Sequence, residues 1–159
     1  MTAMTTEQQR ITNLFYLGFV LWREARAESH EGKIALVFSI LNRVEHPKWW
    51  GNDVISVITK PWQYSSMTDP KDPQLTKYPG SDPAWADCLQ VAMDVYDRKI
   101  APNPVPGADS YYAISMDKAG NPPPWSKTAK LVAQVGNHKF YDTDGVHPEN
   151  VQLGLDLTA

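Results

Sequence analysis

The stretch "LWREARAESHEGKIALVFSILNRV", residues 21–44, contains the end of one apolar helix, a short polar break and the whole of a second helix. In the second segment Ile34, Val37, Phe38, Leu41 and Val44 recur at helical spacing, while Leu36 and Ile40 make the flank apolar too. A helix greasy over so much of its circumference belongs at the centre of a domain. Ser29 stands where it can cap the first free amides, so the pattern predicts a helix from there to about Glu45. The break carries three carboxylates, Glu24, Glu28 and Glu31. Either they are solvated groups paired with Arg23, Arg26 and Lys33, or one is held in a partly dry cleft to deliver a proton. Glu24 and Glu28, four apart, share a face if the first helix persists, whereas Glu31 belongs to the next element. Surface pairs of the first kind contribute under about 1 kcal/mol each. In the second reading Trp22 and the following helix shield one carboxyl group from water, raise its pKa and keep a proton available near neutrality.

Working outward, Ile11, Leu14, Phe15, Leu17, Val20 and Leu21 predict a first helix over about Thr6 to Arg26. Asp53 to Thr59 reads as a short helix. Asp82 followed by Pro83 is a strong start signal for a helix to about Arg98, burying Trp85, Leu89, Ala92, Val95 and Tyr96. Residues 68–81, punctuated by proline, read as an ordered loop. "SYYAI" reads as a short strand, "KLVAQVGNHKFY" as further extended structure, and the chain from about Asp144 as a tail. The fold class expected is mainly α with minor β, in one catalytic domain over residues 1–159.

At 159 residues the chain is the size of one compact domain and can bury a useful core. A net charge of -3 without a basic run argues against nucleic acid as a partner. The single Cys88 excludes an internal disulfide and any CxxC pair. "MTAMTTEQQR" lacks the pattern of a signal peptide, and "ITNLFYLGFVLW", residues 11–22, is too short to cross a bilayer. No stable membrane insertion is expected.

Other chemistry is thinner. His30, His46, His138 and His147 show no HxxxH spacing, so no metal site and no cofactor are expected. His138 alone has the profile of a satisfied structural group. "DTDG", residues 142–145, begins like a calcium loop but lacks the later glutamate. No serine lies in a GxSxG elbow. Trp62, Gln63, Tyr64 and Ser65 form an aromatic and amide patch suited to sugar rings, or else one that anchors a loop to the core.

Taken together and in order, these segments resemble the SleB/CwlJ-type cell-wall hydrolases. "REARAESHEGKIALVFSILNRV" is similar to the family's GEARGE block, glycine, apolar helix and LNRV ending. "WQYS" resembles its QFS-like element, "GADSYYA" its Ala-x-x-Tyr-Tyr or His-Tyr segment, and "PPPW" and "VGNHKFY" its closing Trp and GNHxFY motifs. The resemblance spans residues 11 to 142. Two positions depart: the family's glycine before the first glutamate is Arg23 here, and the second glycine of GEARGE is Ala27.

The resemblance implies a lysozyme-like fold related to lytic transglycosylases, acting on peptidoglycan glycan strands. Its catalytic glutamate maps onto Glu24, and Glu28 is the matching supporting residue. Gln63, Tyr64, Ser65, Tyr112 and Trp125 are the expected substrate contacts. Cleavage falls between N-acetylmuramic acid and N-acetylglucosamine, by transglycosylation or, as the alternative, by hydrolysis as in a muramidase. A catalytically silent glycan-binding or virion structural domain is the competing class, and chitinase-like activity a third. The short form without an export signal resembles a phage endolysin, made in the host cytoplasm as a monomer and reaching the wall once a holin-like protein opens the membrane.

Overall fold

A computed structural model describes residues 2–146. The C-terminal tail expected from about Asp144 lies, from residue 147 on, outside the described residues.

The two helices of the deciding stretch form as their sequences dictate. Helix α1 (Thr6–Ala25) opens on a capping box in which Thr5 and Gln8 satisfy each other's backbone amides. Helix α2 (His30–Glu45) is capped by Ser29, whose hydroxyl accepts from the Gly32 amide. Helix α3 (Val54–Thr59) starts at Asp53, which accepts from the Ser56 amide. A single turn, α4 (Ser65–Thr68), and a 3-10 turn (Pro73–Thr76) interrupt what the prolines suggested was loop. Helix α5 (Ala84–Tyr96) begins just after Asp82, whose carboxylate accepts from the Ala84 amide. Its buried face is centred on Cys88, Val91, Ala92 and Val95, with Trp85, Leu89 and Tyr96 only partly covered. The expected face is therefore right in direction but rotated toward Cys88. Gly18 explains how closely α5 approaches α1: a Cβ there would lie 2.7 Å from the Leu89 side chain.

The strands are β1 (Ser110–Ala113), β2 (Lys130–Val135) and β3 (His138–Asp142), with the turn α6 (Ser115–Lys118) and a 3-10 turn (Pro124–Lys127) between β1 and β2. They make one antiparallel sheet in the order β1-β3-β2, with Tyr111 opposite Phe140. The fold class is mainly helical with a small sheet, as the sequence implies.

The helical core is tied to the sheet through the "LNRV" end of α2. Arg43 is fully buried; its Nε donates to the Asp109 carbonyl at 2.6 Å, Nη1 to Gln63 Oε1 at 3.0 Å and Nη2 to Ser110 Oγ at 3.3 Å. Asn42 donates to the carbonyls of Val105 and Ala108 at 2.9 and 2.7 Å. A buried guanidinium and amide survive desolvation only when their donors find acceptors, and here all but Gln63, which ties in the segment before α4, lie in or beside the segment entering β1. The strand carrying Tyr111 is thereby fixed to α2. Among the described residues no helix is long and apolar enough to cross a membrane.

Candidate active site

Glu24 lies in the last turn of α1, facing β1 and α4. Tyr111 donates its hydroxyl to Glu24 Oε1 at 2.7 Å. Ser66 lies close by, and its hydroxyl and amide favour the ionised form of the same carboxyl group without a hydrogen bond of ordinary geometry from the hydroxyl. Burial pushes the Glu24 pKa up from 4.5 to about 7; the Tyr111 and Ser66 contacts oppose the rise, and the Asp72 carboxylate nearby adds to it. Burial and the neighbouring Glu24 also hold the Tyr111 phenol well above its ordinary pKa, so it stays a donor. Glu24 is nonetheless partly open to a cleft, which it lines. It is a protonatable group within reach of a ligand.

Glu28, in the bend just past the end of α1, has the opposite environment. Its Oε1 is 2.9 Å from His138 Nδ1, and its Oε2 faces the backbone and side-chain nitrogens of Asn137 at 3.4 and 3.3 Å. Contact with His138, together with the amides of Asn137 and Ser29, holds the Glu28 pKa below the usual range. Glycine makes the contact possible. Gly136, at φ +57, turns β2 into β3, and a Cβ there would stand 3.1 Å from both Glu28 Oε2 and Ser29 Oγ. The carboxylate is spent on clamping the β2–β3 turn to the start of α2. His138, expected to be structural, holds Glu28, meets Tyr111 edge-on and also lines the cleft.

The cleft has a volume of about 740 Å³ and passes between the end of α1, the 3-10 turn at Pro73–Thr76 and the β1–α6 region. Tyr112 and Trp125 form part of its wall. Tyr112 stacks on Tyr141 at 5.6 Å, Trp125 meets both edge-on, and the Tyr112 hydroxyl donates to Asp117. The two rings are locked from behind and present a rigid apolar surface.

Three expected contacts do not reach this cleft. Gln63 is 1% exposed and its side-chain oxygen accepts from Arg43; Tyr64 is fully buried in the core; the fully buried Ser65 hydroxyl donates to Asp72 at 2.6 Å. The patch anchors a loop, the alternative its composition allowed, because α4 turns these side chains inward and brings Ser66 round to Glu24. Trp62 remains exposed but away from the cleft lining. Ser66, Tyr111 and Gln74, all at the cleft or on Glu24, were not singled out by sequence. Only Tyr111 had a signal, being the other tyrosine of "SYYAI".

The solvated ion pairs do not form either. Lys33 pairs with Asp87 at 2.7 Å, Arg26 donates to the Trp22 carbonyl, and Arg23 is buried against α4. Trp22 donates its indole N–H to Asp82, on another face from Glu24, so β1 and α4 do the shielding. Elsewhere, carboxylate oxygens of Asp109, Asp142 and Asp144 lie within 4.8 Å of one another. The Lys48 ammonium pairs with Asp144 and lies 3.9 Å from Asp109, supplying positive charge to that group.

A family-wide sequence pattern described as cell wall hydrolase matches residues 27–141, most of the chain. The chain belongs to the cell wall hydrolase family. As such a hydrolase it is an enzyme of peptidoglycan breakdown. The matched region begins three residues after Glu24 and contains Glu28, the "LNRV" segment, Tyr111 and the β2–β3 turn. Among solved structures, the catalytic domain of the germination-specific lytic transglycosylase SleB from Bacillus anthracis superposes with a TM-score of 0.63 at 19% identity, over 89% of this chain and 98% of that one. Comparison with curated proteins gives no match. The superposition shows that this cell wall hydrolase has the fold of that domain.

Proposed function

We propose that the protein is a lytic transglycosylase that cleaves the β-1,4 bond between N-acetylmuramic acid and N-acetylglucosamine, with Glu24 as general acid and then base. One observation carries the reading. Two glutamates four residues apart, one in the last turn of α1 and the other in the bend beyond its end, are driven in opposite directions, Glu24 toward keeping its proton at neutral pH and Glu28 toward a fixed, engaged carboxylate. Environments that push two titratable groups apart assign acid and non-acid roles.

Glu24 donates its proton to the glycosidic oxygen as that bond breaks and positive charge develops at the muramic anomeric carbon. The C6 hydroxyl of the same sugar then bonds to that carbon, and its proton returns to the Glu24 carboxylate. The sequence closes an anhydro ring, consumes no water and needs one titrating carboxyl group. Tyr111 stabilises the carboxylate midway through the cycle, because its hydroxyl bonds the ionised form more strongly than the neutral one. Tyr112 and Trp125 offer flat surfaces to sugar rings. Membership of the cell wall hydrolase family and the likeness to a transglycosylase domain support the substrate class.

The test is analysis of fragments released from purified peptidoglycan by the wild type and by Glu24→Gln. Anhydro ends from the wild type, with release falling by orders of magnitude in the variant, are expected. Reducing ends would move the reading to hydrolysis, and full activity of the variant would remove Glu24 from the chemistry.

A further inference from the structure

Arg23, next to Glu24, stands where the family pattern has glycine, and it is only 6% exposed. Successive residues on a helix point about 100° apart, so Arg23 leaves α1 on a different side from Glu24 and enters the layer beneath α4. Its Nε donates to the Lys77 carbonyl and its Nη1 to the Ser66 carbonyl, each at 3.1 Å. The guanidinium carbon lies 4.0 Å from the centre of the Phe19 ring and 5.3 Å from that of Tyr78. Burial lowers the Arg23 pKa, so desolvating this charge is unfavourable, and the two carbonyls and two rings are what offset it. The Ser66 carbonyl that Arg23 holds belongs to the residue whose amide and hydroxyl face Glu24. That hydroxyl is buried and makes no hydrogen bond of ordinary geometry to any group of the protein, so its place beside Glu24 depends on how the turn is held.

We propose that Arg23 is a positioning residue for the reaction, a strut within the fold that holds the Ser66 turn against the Glu24 carboxyl group. It bridges two carbonyls 11 residues apart in sequence, which suits the planar fork of a guanidinium and not the single point of an ammonium. The groups that meet Glu24 are Tyr111 from β1, Ser66 from α4, and, through charge, Asp72 before the 3-10 turn, with Tyr64 behind. Of these Arg23 holds the Ser66 turn by a hydrogen bond and meets Asp72 through charge alone, which R23K preserves. A loosened turn withdraws two polar groups that favour the carboxylate, so Glu24 holds its proton to higher pH and donates it less readily.

The inference rests on Glu24 being the acid, and its test separates the two ideas. In R23K, which keeps the charge but not the fork, and in R23M, which keeps the bulk, carbon-13 carboxyl titration of Glu24 should move to higher pH. On soluble glycan fragments kcat should fall roughly tenfold, as expected of a misplaced catalytic group, with KM within about twofold. S66A should displace the titration the same way, and R23K added to S66A should displace it no further, the signature of two residues acting as a unit. A wild-type titration and kcat in R23K, even with a lowered melting temperature, would reduce Arg23 to packing. An undiminished R23K displacement in the S66A background would refute the route through Ser66. Should R23M not fold, R23K and S66A carry the test. Displaced titration in R23K beside full turnover of E24Q would leave the strut standing and overturn the function.

Discussion

Glu24→Gln should make the protein more stable, and only at neutral and alkaline pH. The wild-type carboxyl group titrates near 4.5 in water and at about 7 in the fold. A group whose pKa is raised by folding favours the folded state below its unfolded value, and that advantage is lost as pH climbs through the folded value. The gap spans about 2.5 pH units; at about 1.36 kcal/mol per unit it makes the folded protein up to about 3 kcal/mol less stable at pH 8 than this one group would leave it at pH 4. Glutamine has nearly the same shape, carries no titrating proton and can still accept from Tyr111, so it removes the penalty and little else. In a domain of this size 1 kcal/mol moves the melting temperature by about 2–4 °C. The variant should therefore melt up to roughly 6–12 °C above wild type at pH 8, with the lower part of that range favoured by water reaching the carboxyl group from the cleft. At pH 4 the two should melt together. Differential scanning calorimetry across the range reads both limits. Comparison with wild type at each pH cancels the titration of every other group, including Glu28. Equal melting at pH 8, or the same gain at pH 4 and pH 8, would show that Glu24 is not held in a dry environment.

Tyr111→Phe deletes the 2.7 Å bond to Glu24; a hydrogen bond to a charged group is worth about 1.5–3 kcal/mol, so the alkaline limb of the pH–rate profile should rise by about one to two pH units while the plateau rate falls. An unmoved limb would mean the phenol does not favour the carboxylate. Glu28→Ala frees the β2–β3 turn and should cost about 1–3 kcal/mol in urea unfolding, with turnover on peptidoglycan retained within roughly tenfold. Because folding lowers the Glu28 pKa, its contribution is present above the unfolded carboxyl pKa and lost as pH falls through the folded one, so the deficit of the variant should shrink in acid. Loss of all turnover in a folded Glu28→Ala would return a second carboxylate to the mechanism. Trp125→Ala should raise KM on soluble glycan fragments several-fold with little change in kcat, since the ring offers surface and no proton; an unaltered KM would exclude it from the binding wall.

What the sequence made legible follows from the length of each element. Helices α1, α2 and α5 run long enough for apolar periodicity to show, and Ser29 and Asp82 mark the starts of the second and third of these. Spacing puts Glu24 and Glu28 on one face only if the first helix persists; it ends at Ala25 and leaves Glu28 in the bend, and spacing is in any case symmetrical between them. What separates their chemistry is contact with residues 87 and 110 positions away, Tyr111 and His138. The failures lie in the shortest elements. Helix α4 is one turn, too brief to show a period, so nothing local could say that Gln63, Tyr64 and Ser65 point inward while Ser66 reaches Glu24. Strand β1 has four residues, and alternation normally names the core-facing side. Here both faces are covered, one by the helices and one by Trp125, so Tyr111 and Tyr112 are buried alike and only the packing tells which meets the acid. The same limit hid Arg23. A basic residue beside two glutamates invites a surface ion pair, but the two acceptors that draw this one inward are backbone carbonyls, which every residue has and no sequence pattern can mark.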